Sequence, residues 1–283
     1  RGQQVRGMAV FSPLFRDAPA ACRRMERDAL LQAVLGHARS IVKQHKGKMD
    51  QWVVMHGMLA SSEIYDVAGV DSLIQIFHAA QKEDPAAALL ISDAEALLLP
   101  GDSRVDEVIE FTTWLKSEGC KVGGIVLGAS LARPYMAPQT IEKRLDRIAS
   151  SGVGVPVFIA GLELETDKEA TQEAMLRDLL SLFYSHQAVA GVSLASPWEA
   201  AAVNQRSALY RADMTPRKAG KMIENLLSSE WVTKAKGVTD DQGHFAVRAF
   251  HGGYRISAQV KGKTVKADAA VTSAKHQVAL KAD

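Results

Sequence analysis

The sequence predicts an α/β fold, a parallel sheet wound with helices, followed by a small all-β tail. Three observations carry this. Short apolar runs alternate with longer segments of helical periodicity from the N-terminus to about residue 231. The runs are apolar along their whole length, as strands buried on both faces are. Beyond residue 237 the spacing changes to strict alternation, the period of a strand with one wet face.

The elements follow in order. Residues 5–11 form the first strand. Residues 24–46 carry Leu30, Leu31, Val34, Leu35, Ala38, Ile41 and Val42 at helical spacing. Residues 51–56 are the second strand, and 71–82 a helix with Leu73, Ile74, Phe77 and His78 on one face. Residues 88–92 are the third strand. Ser103 is expected to cap a helix that Gly119 stops. Residues 123–127 are a strand, 139–150 a helix, and 155–162 a strand. Thr166 and Glu169 read as a capping box for a helix to about residue 185. Residues 189–194 are the sixth strand. Thr215 followed by Pro216 reads as the start of a last helix, to about residue 229. Repeated strand–helix units require a parallel sheet with helical crossovers. The tail, with turn signals at residues 251–253 and at Lys261, Gly262 and Lys263, is expected to hold three or four antiparallel strands.

Composition narrows the function. The chain has 283 residues, 47% of them hydrophobic, enough for one large core with a small satellite domain. Its net charge is +2, with both signs interleaved. No basic stripe favours nucleic acid. No apolar run is long enough for a transmembrane segment. The two cysteines, Cys22 and Cys120, have no metal spacing and read as free buried thiols, with a single disulfide as the alternative. No His pair sits at metal spacing, and the glycines at 152 and 154 precede a strand, so they form no phosphate loop. No metal or cofactor is expected.

Six stretches then stand in a telling order. They are VRGMAVF, DQWVVMHG, LLISDAE, VGGIVLGASL, VFIAGLEL and GVSLASPW. Their order and spacing resemble the third to eighth strands of glycoside hydrolase family 10, the endo-xylanase barrels. ALYRADMTPRKA is similar to the family's closing segment. The resemblance implies a TIM (β/α)8-type barrel of which six units lie in this chain. It also implies a retaining glycosidase site, with two glutamates flanking the scissile bond. At the acid/base position stands Gly57, after His56, and at the nucleophile position stands Gly161. The third-strand motif keeps Arg6 but has Met8 for histidine. Val53, Ser92, Gly128, Ser130 and Ala195 replace the motif's Asp, Asn, Gln, His and Trp, while Asp93 remains.

The candidate cleft residues are therefore Arg6, Met8, His56, Ser92, Asp93, Ser130, Glu163 and Trp198. Asp93, Glu95, Glu163 and Glu165 fall at strand ends and are expected as solvated rim carboxylates. Among them Glu163 shares the parity of Gly161 and is expected to face the same cavity. His56 reads as a partly buried, hydrogen-bonded histidine. Trp198 is the one tryptophan placed to stack on a sugar.

The expectation is a pseudoenzyme: a barrel at 1–231 and a β-rich appendage at 237–283, acting as a structural or protein-interaction component. An upstream segment or a protein partner is expected to complete the barrel, because six units leave open sheet edges. Two alternatives stand beside it: a cleft that binds β-glycan, and a hydrolase with a relocated site. The resemblance implies an extracellular, periplasmic or cell-envelope location.

Overall fold

The structure is a computed structural model that describes residues 4–131, 135–195, 197–260, 262–272 and 276–280. It divides into two compact units, 1–219 and 220–283.

The first unit holds six strands: β1 (Arg6–Phe11), β2 (Gln51–His56), β3 (Ala88–Asp93), β4 (Val122–Leu131), β5 (Val157–Leu164) and β6 (Val189–Leu194). They form one parallel sheet whose spatial order is their order in the chain. The crossovers are α1 (Arg27–Gln44), α2 (Glu63–Ala68) with α3 (Asp71–Glu83), α4 (Ser103–Ser117), α5 (Pro138–Ser150) and α6 (Glu169–Ser185). The short α2 is the helix that periodicity did not reveal, since six residues are too few to show a 3.6-residue repeat.

Burial follows the pattern expected of a parallel sheet. Val53, Val54 and Met55 of β2 are fully buried, one face toward the helices and the other toward the sheet's concave side. On that side Val53, Leu90 and Val126 pack together, and Ala88, Phe158 and Ala160 close over them. These residues come from four consecutive strands, so the sheet curls around a lumen. Each such aliphatic side chain contributes roughly 1.5–3 kcal/mol by leaving water.

The curl does not close among the described residues. The outer edges of β1 and β6 pair with nothing. No residue of β6 is fully buried, and Val192 is 37% exposed. Met8, in register with lumen-facing Val53, is 57% exposed.

Three helix starts differ from expectation. α4 begins after Asp102, with no side-chain cap bond from Ser103. α6 begins after Lys168, because Thr166 accepts the Lys168 N–H at 3.2 Å and forms a turn ahead of the helix. The last helix, α7 (Lys218–Asn225), starts three residues after Thr215, whose hydroxyl donates to Asp213 at 2.6 Å. In the last two cases a local side-chain bond organises the loop before the helix. Gly119 does end α4, with φ +80°.

Among the described residues of the second unit the tail holds two antiparallel strands, β7 (Gly252–Val260) and β8 (Lys263–Val271), fewer than the three or four expected. Lys261 of the predicted turn lies outside the described residues. Residues 245–250 alternate but do not pair. A tight turn precedes them, in which the Asp240 carboxylate accepts the Gln242 and His244 N–H groups. Alternation marks a chain that can be a strand; pairing still needs a neighbour.

Candidate functional site at the strand C-termini

In a parallel α/β barrel the C-terminal strand ends carry the working residues. At the end of β2, His56 meets Ser92 of β3, with Nδ1 2.7 Å from the hydroxyl. Gly57 follows with φ +69°, its N–H donating to the Ser92 carbonyl at 3.1 Å. A Cβ built on Gly57 would touch nothing within 4 Å. There is space for a side chain here, on a backbone that disfavours one.

Gly161 lies inside β5 with φ +64°, and its Cβ position is also open. It marks a bulge. Gly128 pairs with Ala160 and Ser130 with Glu163, so two steps along β4 match three along β5. One extra residue reverses the parity beyond it. Val126, Gly128 and Ser130 share the lumen face of β4, and the bulge is what brings Glu163 to that same face. The expected shared parity of Gly161 and Glu163 assumed regular alternation, which the bulge interrupts. A glycine inside an apolar run was the signal that could have announced it.

Glu163 is fully engaged. Its Oε1 accepts the Ser130 hydroxyl at 2.6 Å and its Oε2 the Ser207 hydroxyl at 2.7 Å. Ser207 sits in the connection after β6 and is buried. Gln172 of α6 donates to the carbonyls of Ser207 and Leu164. Glu163 thus ties β4, β5 and the β6–α7 connection together. Glu165 is ion-paired with Arg206 of the same connection.

Asp93 is also committed. One oxygen accepts the Glu95 and Ala96 N–H groups, at 2.9 and 2.7 Å. The other faces Arg104 Nε at 3.4 Å, close enough for ion pairing but not aligned as a hydrogen bond. Arg104 also binds Glu95, Glu107 and the Leu59 carbonyl. Burial works to lower its pKa, but the hydrogen bonds to Glu95 and Glu107 and the Asp93 charge outweigh it and raise it.

Behind this pair, Arg144 of α5 is buried and donates to the carbonyls of Leu97, Ala96, Leu99 and Gly101. The two arginines fold the β3–α4 loop inward. As a result, a Cβ on Gly128 would meet the Ala94 carbonyl oxygen at 2.6 Å and its Cα at 2.8 Å. Main chain occupies the place that a side chain at 128 would take.

The remaining candidates are dispersed. Arg6 lies at the N-terminal end of β1, away from the mouth, in register with Gln51. Met8 is exposed on the open side. Trp198 is 40% exposed, with its indole N–H held by the Ala212 carbonyl at 3.1 Å. Trp52 lies buried across Gly7. The structure therefore brings together His56 with Ser92, and Ser130 with Glu163, and keeps Arg6, Met8 and Trp198 apart from both pairs. Among the described residues no three His, Cys, Asp or Glu side chains are grouped to hold a metal ion.

Comparison with known proteins places the chain. The family model "Glycosyl hydrolase family 10" matches residues 14–226. The chain belongs to glycosyl hydrolase family 10. One relative is the anti-sigma-I factor RsgI6 of Acetivibrio thermocellus, 28% identical over 267 residues, 93% of this chain and 34% of that protein. Another is endo-1,4-beta-xylanase 3 of Arabidopsis thaliana, 26% identical over 255 residues, 89% of this chain and 33% of that protein. The chain spans about a third of the length of these curated relatives. Among solved structures, xylanase 10B of Thermotoga petrophila in complex with xylobiose matches with a TM-score of 0.70 at 16% identity, over 81% of this chain and 75% of that one. The family 10 fold is thus a TIM-type barrel with six of its βα units here and a small antiparallel sheet at the C-terminus. No helix among the described residues is long and apolar enough to cross a membrane.

Proposed function

We propose that the chain is a non-catalytic, xylanase-like barrel serving as a structural or protein-interaction component of a larger assembly. The observation that carries this reading is the pair of glycines at 57 and 161, both in the left-handed region, at the positions the family resemblance gives to the two carboxylates. A retaining mechanism needs an acid/base and a nucleophile on opposite sides of the bond, and neither position has a side chain. Two further features support it. Glu163, the carboxylate best placed to replace a nucleophile, has both oxygens occupied by hydroxyls. The loop backbone at Ala94 fills the space above Gly128.

The relative named as an anti-sigma factor supports a regulatory, protein-binding role for such a barrel. On this reading the barrel at 1–231 and the appendage at 237–283 are separate working pieces, and the protein acts outside the cytoplasm, where xylan is met. A second reading rests on exposed Trp198: a cleft that binds β-glycan without turnover, its ring stacking on a sugar.

Steady-state kinetics on an aryl xyloside, with wild type and Glu163→Gln side by side, test the proposal. No turnover above buffer is expected from either. Wild-type turnover abolished by Glu163→Gln would replace the proposal with a relocated nucleophile. Calorimetry with xylohexaose tests the second reading, which requires sub-millimolar affinity lost on Trp198→Ala.

A further inference from the structure

The hairpin of the second unit has two faces of different chemistry. In the β7–β8 register Ile256 stands opposite Ala267 and Ala258 opposite Val265, on a half-buried apolar face. The other face is exposed and sets Arg255 opposite Asp268 and Ser257 opposite Lys266. Arg255 Nε lies 3.4 Å from the Asp268 carboxylate, the two side chains being 81% and 79% exposed. Among the described residues Lys266 forms no ion pair. Among them, too, no third strand pairs with either edge of the hairpin. Two strands alone are marginal in water, and three or more that share an apolar face hold together. Each free edge is a nine-residue row of backbone donors and acceptors, a template for one more strand.

We propose that β8 pairs antiparallel with β8 of a second copy of this chain, about a two-fold axis at Ala267. Charge selects both the edge and the register. With Ala267 opposite the partner's Ala267, Lys266 stands opposite the partner's Asp268 and Asp268 opposite the partner's Lys266. Val265 meets the partner's Ala269 on the other side, so the four strands share one apolar face. The two nearest registers that keep the faces aligned centre on Lys266 or on Asp268, and each sets like charges opposite one another. The edge of β7 has no such complement, because its exposed face carries Arg255, Ser257 and Gln259 and no acid. A lysine alone on an edge discourages pairing. The aspartate two residues further on makes this edge complementary to its own antiparallel copy. Two-fold pairing closes on itself, so the assembly stops at a dimer. This pairing goes beyond the proposed function and does not depend on whether the barrel is catalytic.

Sedimentation of the whole chain from about 1 to about 100 µM, with hydrogen exchange of residues 263–271, tests the pairing. Wild type is expected to pass from monomer to dimer across this range, with β8 protected in the dimer and exchanging on dilution. Lys266→Asp and Asp268→Lys each set like charges opposite one another and are expected to weaken the dimer at least about tenfold. Mixed in equal amounts the two variants are complementary, one chain bringing two carboxylates and the other two ammonium groups. The mixture is expected to dimerise about as tightly as wild type. Both variants are expected to unfold at the wild-type monomer's temperature, since the Arg255–Asp268 pair is too exposed to add much. If Asp268→Lys does not fold, Lys266→Arg carries the test beside Lys266→Asp: the arginine keeps the dimer and the aspartate loses it. A wild type monomeric throughout would overturn the proposal, whether β8 exchanges freely or is covered by another segment of its own chain. So would species larger than a dimer, a dimer indifferent to both charge reversals, or a mixture that stays monomeric. Hydrolysis of xylan by the dimer would remove the proposed function and leave this pairing standing; an inactive monomer would do the reverse.

Discussion

Gly57 and Gly161 both hold backbones in the left-handed region, which a residue with a side chain disfavours. At φ +69° and +64° a residue with a Cβ is strained by about 1–2 kcal/mol, even though no neighbour crowds it. Gly57→Glu and Gly161→Glu are each expected to lower stability by about that amount in urea unfolding, and the double variant to remain inactive. Glu163 gives a second residue-scale expectation. Ser207→Ala removes one of its two hydroxyl donors and should cost about 1 kcal/mol. Cys120 gives a third. Burial first, then the Glu118 charge, raises its thiol to about 11. At pH 8 only about one part in a thousand is thiolate, so a thiol reagent should label the half-buried Cys22 first and both cysteines only in denaturant. The unfolded thiol titrates near 9.0 and the folded one near 11, so the folded chain holds this proton longer. Stability should fall as pH rises through that window. Two equally fast labelling phases in the native protein would contradict the burial.

At the scale of elements, the β3–α4 loop and the β5 bulge decide what the mouth of the barrel can be. Arg144 makes its bonds to main-chain carbonyls of residues 96–101 from a buried position. Arg144→Met should cost about 3 kcal/mol and release hydrogen-exchange protection in 94–101 while β3 stays protected. The loop was not legible beforehand, and the bulge only through the glycine at 161. An arginine in an amphipathic helix reads as a solvated charge until the loop it holds is seen, and a bulge costs only one residue in an otherwise regular run. The strands and most helix bodies were legible, because burial on both faces and helical spacing leave direct marks in the sequence. Helix starts were not. At Thr166 and Thr215 the capping side chains serve turns in the preceding loop. Of the site, the residue types at 57, 161, 92 and 130 could be read; that Glu163 bridges Ser130 and Ser207 could not, since Ser207 is 44 residues away.

At the scale of the whole molecule, the barrel core and the residues at the strand ends are separable. The lumen of Val53, Leu90, Val126 and Phe158 needs only apolar packing, which tolerates change at the strand ends. On the proposed function, that separation is what lets a family 10 barrel serve as a scaffold with glycine at 57 and 161. The most direct measurement is mass spectrometry of xylohexaose incubated overnight with concentrated protein. The account predicts intact xylohexaose. Release of xylobiose or xylotriose, absent with Glu163→Gln, would contradict it.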